Sequence, residues 1–140
     1  MENFENYLKI CRQLGIKAAA KGNPAVGAVV VRDNQIISEA QEAGRSKNDV
    51  TCHAEIEAIR KAVTILGTVD LSDCQLISTH EPCVMCAYVI RYHRLKTVVY
   101  ENKVETVGSI NSIHPILTDA NFWIAKPIPQ VIFVEKNDVK

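Results

Sequence analysis

The chain has 140 residues, 47% apolar and 23% charged, enough for one domain that buries its own core without needing disulfides or structural metals as staples. Sixteen basic and sixteen acidic side chains cancel, so no chain-wide field draws it to nucleic acid or to an anionic membrane. The longest apolar run, Ala25 to Val31, falls well short of the roughly 18 residues that span a bilayer, and no membrane partner is expected.

Phe4, Tyr7, Leu8, Cys11, Leu14 and Ala18 recur at three- and four-residue intervals and predict an N-terminal helix ending near Gly22-Asn23-Pro24. This segment lacks the apolar stretch of a secretory signal, so a cytoplasmic location is expected. In that compartment five cysteines point to metal binding or redox work rather than to disulfides. Val26 to Val31, turn chemistry at Asp33-Asn34 and an extended stretch from Gln35 to Ala40 predict a β-hairpin. Gln41 to Thr51 is polar, contains Gly44 and is expected as an exposed loop. Cys52 to Leu66 returns to helical spacing through Ile56, Ile59, Val63 and Leu66, with Gly67 as the stop. A short strand over Gln75–Thr79 follows, then a helix with Pro82 in its first turn that continues over Val84–Tyr92, then a strand over Thr97–Tyr100. The signal weakens until a last strand over Gln130–Val134. Two antiparallel strands followed by strands alternating with helices predict a single α/β domain over residues 1–140, a three-layer α/β/α sandwich around a mixed sheet.

His53, Cys83 and Cys86 suit zinc, and three protein ligands leave the fourth tetrahedral position open, as catalytic sites do. Cys83 and Cys86 share one helical face. His53 and Glu55 are two apart and converge only if His53 lies at the extreme start of its helix; Glu55 is then placed to carry protons beside the metal. Cys-x-x-Cys alone fits a redox pair equally well, and His-x-Glu alone is weak. Their conjunction, His53-Ala54-Glu55 with Pro82-Cys83-x-x-Cys86, is the zinc deaminase signature. Cys52, next to His53, is the residue that could close the site as a fourth ligand and make it a non-catalytic structural zinc domain.

On these residues the chain resembles the cytidine deaminase superfamily, in the branch of tRNA adenosine deaminases, bacterial guanine deaminases and fungal cytosine deaminase. The matching stretches are NPAVGAVVV (23–31), NDVTCHAEIEAIRKA (48–62), EPCVMCAYVI (81–90) and, more weakly, VGS (107–109). The resemblance implies a five-stranded sheet with a parallel final strand, one zinc ion per chain, and hydrolytic release of ammonia from a free purine or pyrimidine base or nucleoside. It implies that Glu55 moves the protons, that Val26, Ala54 and Pro82 border the base pocket, and that the enzyme is a homodimer. Relatives commonly carry a base- or sugar-binding Asn eleven residues before the zinc-binding His; here that position is Glu42, whose carboxylate would select a substrate presenting donors. The alternative is a tRNA-specific adenosine deaminase, with Arg45, Lys47, Arg91, Arg94 and Lys96 as phosphate contacts. Neutral charge, and an end where such enzymes add a basic helix, weigh against it. His80 and the Phe122-Trp123 pair are further pocket candidates, each with packing as the competing role.

Overall fold

The structure, a computed structural model, describes residues 3–136. In chain order it contains α1 (Glu5–Ala20), β1 (Gly27–Arg32), β2 (Gln35–Gln41), α2 (Ala54–Leu66), β3 (Gln75–His80), α3 (Val84–Tyr92), β4 (Thr97–Asn102) and β5 (Gln130–Phe133). The strands form one sheet in the order β2-β1-β3-β4-β5. β1 pairs antiparallel with both β2 and β3, whereas β3–β4 and β4–β5 are parallel.

The hairpin turns on two residues, Asp33 and Asn34, both in the left-handed region at φ 51° and 62°. Such two-residue turns match the right-handed twist of the flanking strands, and Asn and Asp tolerate the conformation at little cost. Alternation along the strands sorts the side chains into two layers. Val29, Val31, Ile77 and Val99 face α1 and pack with its Leu8 and Cys11. Ala28, Val30, Leu76 and Val98 face the other way, against Ile56 and Ile59 of α2 and Ile90 of α3. The result is the expected α/β/α sandwich.

α1 lies so close over the start of β1 that a side chain at Gly27 would collide with the Cys11 carbonyl. Just before that contact, Pro24 and Val26 come beside His53 and Cys83, where α2 and α3 begin. The long connection from β4 to β5 has no regular structure, yet it is fixed by Arg91. This fully buried guanidinium donates to the carbonyls of Ile116 (2.8 Å), Asp119 (2.5 Å), Trp123 (3.0 Å) and Lys126 (2.9 Å). Arg91 is therefore no phosphate contact. Among the described residues no helix is long and apolar enough to cross a membrane.

Candidate active site

The two sequence stretches carrying candidate ligands end up as the starts of α2 and α3, side by side at the edge where the parallel strands finish. His53 is the N-cap of α2 (φ −65°, ψ 152°) and Cys83 the N-cap of α3 (φ −74°, ψ 174°), and neither side chain caps its own helix. Both are free to turn toward each other. The extended backbone at His53 is what lets it and Glu55 address one cavity despite their two-residue spacing.

Pro82 lies before the N-cap of α3, so it is not part of the first helical turn. Its carbonyl accepts from the backbone N–H (3.0 Å) and hydroxyl (2.7 Å) of Ser109, which pulls this residue into loop pairing instead. The 41–51 stretch is likewise less open than expected. Gln41 completes β2, Glu42 is buried, and the Asn23 side chain accepts from the N–H groups of Arg45 (3.1 Å) and Ser46 (3.0 Å), tying the loop to the end of α1.

His53 Nδ1 stands 3.5 Å from the sulfur of Cys83 and 3.5 Å from that of Cys86, and the two sulfurs are 3.7 Å apart. Tetrahedral zinc with its usual bond lengths requires about 3.6 Å between nitrogen and sulfur and about 3.8 Å between sulfurs. The trio therefore fits zinc with little movement. Cys86 and His53 donate hydrogen bonds to the Cys83 sulfur and hold its pKa down at about 4. The same contact with Cys83, together with burial, keeps the proton on Cys86. The Cys83 thiolate in turn raises His53 to about 9. Two helix N-termini converging on the sulfurs favour this negative charge.

Cys52 does not join the trio. Its sulfur lies 3.9 Å from the Arg60 guanidinium, and among the described residues His53, Cys83 and Cys86 converge without it. The residue that would have closed the coordination shell points elsewhere.

Beside the trio is a cavity of about 210 Å3 whose walls include Val26, Glu42, His53, Glu55, His80 and Cys83. A second hollow of about 340 Å3 shares Pro24, Glu42 and His53 with it and reaches Arg45. Glu55 is buried, and that burial pushes its pKa up to about 7. Glu42 accepts from the Gly44 N–H through Oε2 (2.7 Å) and sets Oε1 3.9 Å from His53 Nε2. His80 is half-buried, shares a 2.8 Å hydrogen bond with the Thr79 hydroxyl, and has its pKa lowered by burial. Ala54 packs into the core beneath the wall, and Trp123 stacks on Tyr88 of α3 with ring centroids 4.8 Å apart, away from the cavity.

Glu81 is a component that sequence reasoning passed over. Its buried carboxylate accepts from the backbone N–H groups of Val104 (3.1 Å), Ile110 (2.9 Å) and Asn111 (2.9 Å) and from the Asn111 amide (2.6 Å). These bonds fold the 104–111 segment over the cavity, where Val104 and Val107 line it. Gly108 passes so near Glu81 and the Val104 carbonyl that any side chain there would collide with both. The VGS motif was the available signal.

The family model for the cytidine and deoxycytidylate deaminase zinc-binding region matches residues 1–102, which include the entire ligand trio and Glu55. The chain belongs to this deaminase family. It is a zinc-dependent hydrolytic deaminase with one zinc per chain. The deaminase is 35% identical over 115 residues to a tRNA-specific adenosine deaminase of Aquifex aeolicus, covering 82% of this chain and 76% of that one. It is 44% identical over 100 residues to the guanine deaminase of Bacillus subtilis, covering 70% and 64%. Among solved structures it superimposes with a TM-score of 0.86 and 29% identity on one from a study of A-to-I editing by tRNA:A34 deaminases, covering 92% of this deaminase and 91% of that chain.

Proposed function

We propose that the deaminase acts on a free purine or pyrimidine base or nucleoside, with His53, Cys83 and Cys86 as the zinc ligands and Glu55 as the proton carrier. The cavity beside the trio carries this reading: at about 210 Å3 it is smaller than a drug-sized pocket and suits one heterocycle, with the adjoining hollow available to a sugar. Zinc in this site would activate water for attack at neutral pH. Glu55, buried on the wall with a pKa near 7, can hold a proton at its carboxylate and give it up near neutrality. It relays the two protons of the attacking water, one to the ring nitrogen beside the carbon bearing the amino group and the other to that amino group as it leaves. Water adds, ammonia departs, and the ring carbon becomes a carbonyl. The backbone at Val26 and the 104–111 segment keep the ring in place and exclude bulk water.

The similarity to tRNA adenosine deaminases supports a second reading, an adenosine presented by tRNA. Of the five cations expected to hold phosphate, Arg45 lines the hollow, Lys47 is paired with Glu57 at 3.3 Å, and Arg91 is buried. Ammonia release by the zinc-loaded enzyme, measured over adenine, guanine, cytosine, their nucleosides and tRNA, separates the two. Turnover of at least one free base or nucleoside is expected. Inosine formation in tRNA with every free heterocycle inert would replace the first reading with the second.

A further inference from the structure

Three carboxylates line the cavity, those of Glu42, Glu55 and Glu81. Glu81 has both oxygens committed to the 104–111 segment. The proposed proton transfers need one more, Glu55. Glu42 is left without a part in that chemistry. It is buried, its Oε2 is anchored by the Gly44 N–H, and among the described residues its Oε1 has no donor within hydrogen-bond distance. Oε1 faces the cavity with only the His53 ring near it, 3.9 Å from Nε2 and beyond hydrogen-bond reach, so a ring that fills the cavity and excludes water must bring a donor or leave a charged acceptor unmatched, which is costly.

We infer that Glu42 is a specificity-determining group whose Oε1 accepts a hydrogen bond from a ring N–H of the substrate, so that the site takes guanine-like rings over adenine-like ones. The inference rests on the deaminase reading above and names the substrate class for that site. A carboxylate offers acceptors only. Guanine places a ring N–H next to its amino-bearing carbon, and this donor satisfies Oε1. Adenine has bare ring nitrogens in its six-membered ring, so its lone pair would oppose that of Oε1 in a buried site. A site built to receive a donor rejects the analogue lacking it.

The anchor at Gly44 makes the inference sharp. In Glu42→Gln the amide oxygen is drawn to the Gly44 N–H, which needs an acceptor. The amide NH2 then faces the cavity where Oε1 was. An acceptor has become a donor at the same place, and the preferred ring is reversed.

The test measures calorimetric binding and ammonia release for guanine and adenine with the zinc-loaded wild type, E42Q and E42A. The wild type is expected to bind guanine more tightly than adenine by roughly ten- to a hundredfold, the range for a hydrogen bond to a charged group. E42A should erase most of that ratio, and E42Q should invert it. Equal guanine-to-adenine ratios in wild type and both variants overturn the inference while leaving the deaminase reading intact if ammonia is still released. Glu42-dependent binding with no ammonia from any ring sustains the inference and defeats the deaminase reading. A uniform loss on both rings together with lost zinc shows that Glu42 acts by orienting His53 and overturns the inference. E42A keeps the test decisive if E42Q does not fold.

Discussion

Replacing Glu81 by Gln tests how the cavity is roofed. Each oxygen of Glu81 serves two donors: Oε1 those of Val104 N–H and the Asn111 amide, Oε2 those of Ile110 and Asn111 N–H. Whichever way a Gln amide turns, its NH2 group confronts two donors that cannot be matched. Each orphaned buried donor costs about 1–3 kcal/mol, so the substitution should destabilise the fold by ~2–6 kcal/mol. For a chain of this length each kcal/mol shifts Tm by about 3–5 °C, which puts the loss at roughly 6–30 °C. The 104–111 segment should also lose hydrogen-exchange protection before the rest of the sheet does, and KM should rise as the roof loosens. Thermal denaturation of the zinc-loaded protein and exchange mass spectrometry read both effects. An E81Q variant with unchanged Tm and unchanged protection over 104–111 would refute the assignment of this carboxylate as the clamp.

Zinc binding should release protons in a definite number. Near pH 7 Cys83 is a thiolate, Cys86 a thiol and His53 protonated, whereas the metal needs two thiolates and a neutral imidazole. Uptake should therefore expel roughly two protons, and apparent affinity should weaken as pH falls. Calorimetry in buffers of different ionisation enthalpy counts them, and a buffer-independent heat would contradict the proton assignment. Arg91→Met keeps a long side chain but abandons four carbonyls, and should cost about 3 kcal/mol or more. Trp123, the single tryptophan, reports this directly: loss of its stacking on Tyr88 should change its fluorescence, and an unaltered spectrum with unaltered Tm would show that Arg91 does not pin the segment.

What the sequence disclosed was whatever depends on local spacing. The turn at Asp33-Asn34 and the requirement that His53 open its helix follow from turn and cap chemistry, and both are present. Misplaced features depend on partners distant in the chain. Pro82 resembled a first-turn residue because Ser109, which claims its carbonyl, lies 27 positions away. Arg91 resembled a surface cation because its acceptors are backbone carbonyls of a segment without periodicity. Glu81 was hidden for the same reason, its four donors being main-chain and amide groups from residues 104–111. Glu42, placed in a loop expected to be exposed, is held inward by a single N–H two residues later, which no periodicity announces.

The most direct test of zinc-dependent deamination with Glu55 as proton carrier is ammonia release by zinc-loaded Glu55→Gln against the wild type, with zinc content measured on both. The variant should keep one zinc per chain and lose roughly 10²- to 10⁴-fold in rate. A Glu55→Gln enzyme that retains its zinc and the wild-type rate would contradict that assignment.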